Sequence, residues 1–276
     1  MQDTDKLPLV SIITVVFNDE KNIAKTIESV LSQTYPHIEY IIIDGKSTDR
    51  TVQNIENYIN KPNTFKHKIT KFISEKDEGI YDAMNKGVKF CTGEWCNFMN
   101  SGDMFFKNTT IEEIFPLKTY KTSENKLGVI YGDSQLIYDA SHSKILYSAS
   151  QKHKYHHHFI HQSSFTSTTL LRQYPFDTRF KIAADSDFFA KIYHQGFLFE
   201  KRDVIIAQFN LNGISANFSY KIFKESCMIG YKYNALFPVW FFSKTIFYIL
   251  PRLLIRKILP KKFLNTARVY LSKNKI

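Results

Sequence analysis

The chain has 276 residues, of which 43% are hydrophobic, 23% charged and 15% aromatic. This is enough for one large α/β domain with an appendage, and it excludes both a disordered chain and an integral membrane bundle. Lys and Arg (37) exceed Asp and Glu (26) for a net charge of +11, but ten of the basic residues follow Glu225, where no acid occurs. The body is therefore close to neutral, which argues against a nucleic-acid-binding surface spread over it.

In chain order, LVSIITVVF (9 to 17) is an unbroken β-rich apolar run suited to a strand covered on both faces. A helical pattern follows, with Ile23, Ile27, Val30 and Leu31 in phase and Asn18 or Asp19 available as a cap. IEYIIID (38 to 44) is a second buried strand, and residues 47 to 59 form a second helix opened by Ser47. The alternation continues with a strand at 68 to 75, a helix at 79 to 91 and a strand at 94 to 99. This is the pattern of a doubly wound parallel sheet, in which ligands sit at the carboxyl ends of strands. Those ends carry Asn18, Asp44, Glu75 with Asp77, and Asp103. From 129 onward strands are expected at GVIYGDSQLIY, KILYSAS and VIIAQFNL, with helices near 186 to 195 and 217 to 235.

The residues VSIITVVFNDEKNIAKTIESVLSQTYPHIEYIIIDGKSTDRT, then SEKDEGIYDAMNKGVKFCTGEWCNFMNSGD, then FKIAADSDFFAKI, resemble glycosyltransferase family 2 over roughly residues 8 to 215. The resemblance implies the GT-A fold, a Rossmann-like, mostly parallel sheet flanked by helices, here over residues 1 to 235. It also implies that Phe17 and Asn18 pack against the nucleotide base and ribose, and that Asp44 accepts hydrogen bonds from uracil or ribose. Gly45 and Lys46 depart from the family's Asp-Asp-Gly-Ser turn at its second acid and its glycine. Asp77 and Asp82 fit further nucleotide contacts, and Asn85 lies on the helix that lines the pocket. Asp82 is equally a first-turn acid favoured by the helix dipole.

The family's metal motif falls on Asn100-Ser101-Gly102-Asp103, which puts the divalent cation, Mn²⁺ or Mg²⁺, on Asp103 with Asn100 offering a neutral oxygen. Asp185 falls on the catalytic base position, with Ala184 in place of the common Glu, and Asp187 reads as a first-turn acid. His161 and Gln162, within HQSSF, are expected at the acceptor pocket, and Ser215, within NGIS, near the diphosphate. His157 and His161 have the spacing of a helical zinc pair, but no Glu or Cys accompanies them, so KHKYHHHFIHQSS reads as an acceptor-side loop.

Residues 236 to 276 form a basic, aromatic-rich tail whose longest uncharged run, 233 to 243, falls short of the ~20 residues that span a bilayer. On a helical wheel Leu254, Ile255, Ile258 and Leu259 oppose Arg252, Arg256 and Lys257, the pattern of an interfacial helix on an anionic membrane surface; packing onto the body is the alternative. Cys91, Cys96 and Cys227 have no metal-site spacing and suit a reducing compartment, and MQDTDKLPLV lacks the features of a secretion signal. The expectation is a cytoplasmic enzyme, peripheral on the inner face of the cell membrane. It would be an inverting, metal-dependent transferase moving a sugar from a UDP-linked donor to a lipid-linked saccharide acceptor in cell-surface polysaccharide synthesis. The alternative is a non-catalytic nucleotide-binding scaffold of a membrane glycan assembly.

Overall fold

A computed structural model describes residues 7–60, 65–116, 126–139, 141–150, 153–210 and 219–258. The first half alternates as expected: β1 (Val10–Val16), α1 (Ile23–Leu31), β2 (Ile38–Asp44), α2 (Thr51–Asn60), β3 (Lys71–Ser74), α3 (Ile80–Phe90) and β4 (Trp95–Phe98). Then come β5 (Met104–Phe105), α4 (Thr110–Ile114), β6 (Leu127–Asp139), β7 (His142–Leu146), a 3₁₀ turn at His161–Ser163, β8 (Ser164–Ser167), α5 (Thr168–Gln173) and α6 (Ala184–His194). The described chain ends with β9 (Leu198–Asn210), α7 (Tyr220–Tyr231), α8 (Phe237–Lys244), a π turn at Thr245–Ile249 and α9 (Leu250–Ile258).

Among the described residues nine strands form one sheet in the order β3-β2-β1-β4-β8-β6-β9-β5, with β7 on β6. The pairs β3/β2, β2/β1 and β1/β4 are parallel. Beyond β4 the sheet turns mixed, with β8 antiparallel to both β4 and β6, and β9 parallel to β6. In this half β6, β7 and β9 fall on expected strands, while β8 and the six-residue α5 show no apolar period in the sequence.

All of β1 is buried, and its alternate residues feed two cores. Ile13 and Val15 pack with Met84 and Val88 of α3 and Phe188 and Phe189 of α6. Ile12 and Val16 pack with Ile23, Ile27 and Val30 of α1 on the other face. Strand β1 has β2 on one side and β4 on the other, so the chain reverses its winding there. Such a switch point leaves a crevice at the carboxyl ends of the two strands. Residues 17 to 19 and 99 to 103 lie at those ends.

Several boundaries differ from the sequence expectation. Residues 18 to 22 form a turn, and α1 starts only at Ile23. Asp49, rather than Ser47, caps α2, accepting the Thr51 N–H at 3.0 Å. His157 and His161 do not share a helix, because residues 153 to 160 are irregular. In the tail, α8, the π turn and α9 run on continuously, while residues 259 to 276, including Leu259, lie outside the described residues, as does NGIS with Ser215.

Candidate active site

The β1 and β2 ends are laced into one rim. Asn18, at φ 49°, accepts the Thr48 N–H at 2.8 Å on its side-chain oxygen, and its own N–H donates to Ser47 Oγ at 2.8 Å. Asp44 is fully buried; its oxygens accept from the Ser47 N–H (3.0 Å), Ser47 Oγ (2.5 Å) and Ser74 Oγ (2.6 Å), which fixes the β2–α2 turn. The lacing leaves the Phe17 ring 62% exposed. Beside it a Cβ on Gly45 would lie 2.4 Å from Asp77 Oδ2 and 3.3 Å from Phe17 Cδ2. An exposed ring, a bare stretch of backbone and a carboxylate thus share one spot, suited to stacking a flat base and accepting its N–H or a ribose hydroxyl. Asp77 therefore occupies the space that a second acid at position 45 would need.

Helix α3 borders this rim. Asp82 accepts the Glu78 N–H at 3.0 Å and pairs with Lys86 at 3.4 Å, so it serves the helix start. Both ends of the Asn85 amide engage the Phe176 backbone, donating to its carbonyl (2.8 Å) and accepting its N–H (2.9 Å). Tyr81, which the sequence reading passed over, donates to the Ile182 carbonyl at 2.7 Å and stands 3.1 Å from Asp185 Oδ1.

After β4 the chain makes the Asn100–Asp103 turn, closed by Asp103 N–H to the Asn100 carbonyl at 3.0 Å and made possible by Gly102 at φ +93°, where a side chain would be strained. The turn is tied to α1 by Thr26 Oγ1 donating to the Asp103 carbonyl (2.8 Å), and to Asp19 by Ser101 Oγ donating to Asp19 Oδ2 (2.7 Å). Asp19 is thus a second acid near the turn that sequence reasoning treated only as a cap. Burial pushes the Asp103 carboxyl up to about 7, against the Gln162 amide that donates to Oδ2 at 2.8 Å, and the Asp19 charge adds to the rise.

Asp185 sits in the first turn of α6 with its side chain 19% exposed. Its Oδ1 accepts the Ser186 N–H at 2.8 Å, and its Oδ2 faces His157 Nε2 at 3.7 Å and His161 Nδ1 at 4.0 Å. Burial holds His157 down to about 3 and His161 to about 4, so both imidazoles are neutral at physiological pH, and burial raises the Asp185 carboxyl above its usual range. The His161 ring is fixed among Phe98, Phe176 and Phe189, at 5.1, 5.7 and 5.6 Å. The 3₁₀ turn therefore aims two adjacent residues at two carboxylates: His161 at Asp185 and Gln162 at Asp103. His157, expected only as part of an acceptor-side loop, is brought to Asp185 by the fold.

The divalent cation that the fold family implies can be tested against these groups. Asn100 Oδ1 is buried with no hydrogen-bond partner among the described residues, and Asp103 is a carboxyl whose charge burial disfavours. An unpartnered carbonyl oxygen and an under-neutralised carboxylate in one turn fit a hard, oxygen-seeking ion. No group of three His, Cys, Asp or Glu gathers for a metal among the described residues, so such an ion would draw its remaining ligands from water or a bound phosphate.

The sequence model of Glycosyl transferase family 2 matches residues 11–186, more than half of the chain. The chain belongs to this family. An uncharacterized glycosyltransferase of Mycobacterium tuberculosis is 31% identical over 183 residues, covering 66% of this chain and 67% of that protein. A PGL/p-HBAD biosynthesis glycosyltransferase of Mycobacterium bovis is 26% identical over 221 residues, covering 76% and 80%. Among solved structures, S. aureus TarS 1-349 in complex with UDP-GlcNAc superposes with a TM-score of 0.60 at 15% identity, covering 92% of this chain and 77% of that one. The chain spans 40% of the longer TarS structure, at a TM-score of 0.55. The mannosyltransferase PcManGT of Pyrobaculum calidifontis, in complex with GDP-Man and Mn²⁺, gives 0.56 at 17% identity, covering 75% and 58%. These likenesses agree with the GT-A fold of the family. The match ends at residue 186, just past Asp185, so α7 to α9 lie beyond it.

Proposed function

We propose that the chain is an inverting glycosyltransferase that moves a sugar from a UDP-linked donor to a hydroxyl of a saccharide acceptor carried on a lipid. The observation that carries this reading is the 3₁₀ turn that bonds Gln162 to Asp103 at 2.8 Å and sets the adjacent His161 4.0 Å from Asp185. One carboxylate lies at the switch point, in the turn after β4 that is tied to Asp19 at the end of β1, and the other, 19% exposed, faces two neutral imidazoles. Phe17 stacks the base and Asp77 accepts from base or ribose, while Asn18 and Asp44 hold the turns that present them.

Asp185 Oδ2 takes the proton of the acceptor hydroxyl as that oxygen bonds to the anomeric carbon, and the bond from that carbon to the diphosphate oxygen breaks on the opposite face with its electron pair. A carboxyl raised by burial is the stronger base for this, and the Ser186 N–H and the Tyr81 hydroxyl lie on its Oδ1, while Oδ2 faces neutral His157 and His161. Mn²⁺ or Mg²⁺ on Asp103 and Asn100 would supply charge neutralisation for the leaving diphosphate. The test is UDP release from a panel of UDP-glucose, UDP-galactose and UDP-N-acetylglucosamine with Mn²⁺. Asp185→Asn is expected to lower turnover by about 10²–10⁴-fold at unchanged melting temperature, and full activity in that variant would sink the assignment.

The second part of the reading is attachment to the anionic inner membrane surface. No helix among the described residues is long and apolar enough to cross a membrane. The α8–α9 segment nevertheless exposes Phe247 (81%), Leu236 (73%), Val239, Trp240, Phe242 and Leu254. Lys244 lies 5.0 Å above the Trp240 ring and Arg252 4.5 Å above that of Tyr248. Exposed aromatic and apolar groups interleaved with cations in a segment free of acids suit the headgroup layer. Cosedimentation with phosphatidylglycerol vesicles, weakened by salt and lost on truncation after residue 235, is expected; equal binding to neutral phosphatidylcholine vesicles would count against it.

A further inference from the structure

The last acidic residue of the sequence, Glu225, stands alone ahead of the acid-free tail, and nothing described so far uses it. It lies on α7, beyond the stretch matched by the family, and is 5% exposed. Its carboxylate accepts three consecutive backbone N–H groups: Lys181 at 3.0 Å on Oε1, and Ile182 at 3.0 Å and Ala183 at 2.9 Å on Oε2. These are the residues that lead into α6, whose cap residue, Ala183, has no side chain able to satisfy them. A carboxylate from another helix thus does what a Ser or Asp cap does locally, with the added attraction of charge for the positive end of the helix.

The grip is two-sided. Glu225 holds the Ile182 N–H, while Tyr81 of α3 donates to the Ile182 carbonyl at 2.7 Å and reaches Asp185 at 3.1 Å. Asp185 follows Ile182 by three residues, within the first helical turn. Helix α7 is itself fixed close to α6: Lys232, just past its end, pairs with Asp187 at 2.5 Å and lies 4.9 Å above the Phe180 ring. Helix α8 packs on α7 so closely that a Cβ on Gly230 would meet Phe237 Cδ1 at 2.0 Å, and the Phe223 and Phe241 rings stack at 5.5 Å.

We propose that Glu225 is a positioning residue for the catalytic base: by holding the Lys181–Ala183 amides it sets where α6 begins and so where the Asp185 carboxylate points. This rests on the reading of Asp185 as the base. It makes α7, outside the family match, part of the catalytic apparatus. A displacement of about 1 Å at a reacting group lowers rate by about 10²-fold, while the Phe17–Gly45–Asp77 rim stands on the ends of β1, β2 and β3 and is linked to the held segment by the exposed Lys181 Nζ bond to the Glu78 carbonyl (3.2 Å), so donor binding should change little.

The experiment uses the full chain with Glu225→Gln, Glu225→Asp, Asp185→Asn and the double variant Asp185→Asn/Glu225→Gln. It measures UDP release from the UDP-sugar panel, UDP affinity by calorimetry with Mn²⁺, and melting. Glu225→Gln places an amide NH₂ against backbone N–H groups, and is expected to lower kcat by about 30–100-fold with UDP affinity within about twofold of wild type. Glu225→Asp keeps the charge on a shorter arm and should restore part of kcat. In the Asp185→Asn background Glu225→Gln should cost nothing further, because its effect acts through the base. Wild-type kcat in Glu225→Gln, a parallel loss of UDP affinity, or a full second loss in the double variant would each overturn the proposal. Should Glu225→Gln fail to fold, Glu225→Asp carries the same test: lowered kcat at unchanged UDP affinity supports it, and wild-type kcat overturns it. Unimpaired turnover by Asp185→Asn alone would refute the base assignment instead, and is read before Glu225 is altered.

Discussion

The Gln162 side chain donates a 2.8 Å hydrogen bond to Asp103 Oδ2. Its own backbone carbonyl is held by Asn97 Nδ2 at 2.8 Å, so the amide that steadies Asp103 is anchored in β4. The bond favours the ionised carboxylate against burial, and a cation bound there would have to compete with a proton for that carboxylate near pH 7. Gln162→Ala is therefore expected to raise the Mn²⁺ concentration for half-maximal turnover by about tenfold, the equivalent of ~1.4 kcal/mol for one lost charge-assisted bond. UDP affinity in EDTA should not change. An unaltered Mn²⁺ titration would detach Gln162 from the metal turn.

Gly45 marks the chain's departure from the family turn, and its surroundings explain it. Asp77 Oδ2 fills the space where a side chain would start, and Asp77 is held there by the Gly79 N–H at 2.9 Å on Oδ1. Gly45→Asp would restore the family residue but press two carboxylates together, combining overpacking with like-charge repulsion. A destabilisation of about 1–3 kcal/mol and a loss of UDP affinity of at least about tenfold are expected. Melting and calorimetry equal to wild type would show that Asp77 moves aside freely.

Asn85 belongs to the rim helix by sequence, yet its amide is wholly engaged with Phe176. Asn85→Ala leaves a backbone N–H and a carbonyl without partners, expected to cost about 2–3 kcal/mol in urea unfolding. If Asn85 acts through this loop and not on the nucleotide, UDP affinity will stay within about twofold of wild type. A large drop in affinity at unchanged stability would return it to the nucleotide.

The strand-end rim was legible because buried parallel strands announce themselves as apolar runs, and the polar residues just after them can sit at only one edge. Asp103 was proposed from its strand end together with motif resemblance, and Asp185 from motif resemblance alone. What the side chains of Asn18 and Asn85 touch was not legible, since bonds to Thr48 and Phe176, 30 and 91 residues away, leave no local pattern. Tyr81 and Glu225 were missed for the same reason, and His157 was read only as part of an acceptor-side loop: each reaches the Asp185 segment from an element distant in sequence. Of these, Glu225 did leave a trace, as the one acid amid a long acid-free stretch. In the mixed half of the sheet β8 escaped, because its SFTS holds a single large apolar residue.

The buried imidazoles give the fold a pH dependence whose sign is fixed. Burial holds His153 down to about 4, His157 to about 3 and His161 to about 4, against about 6.5 in an unfolded chain. Below pH 6.5 the unfolded chain therefore binds protons that the folded chain refuses, and stability falls by up to about 1.4 kcal/mol per pH unit for each imidazole. Asp103, raised by burial to about 7, acts in the opposite sense over this window, since its folded form holds a proton more tightly, and Asp185 is raised in the same direction. Three imidazoles outweigh two carboxyls, so the melting temperature should decline from pH 6.5 to 5. His153 isolates the effect, because it lies away from the carboxylates in a nest of rings formed by Tyr131, Phe159 and Phe199, at 5.5, 5.4 and 4.6 Å. A phenyl ring fits such a nest, and the bond forgone is a long one, from the His158 N–H at 3.3 Å. His153→Phe should therefore keep the fold and flatten the acid decline; an equally steep decline in that variant would mean that His153 is protonated in the native protein.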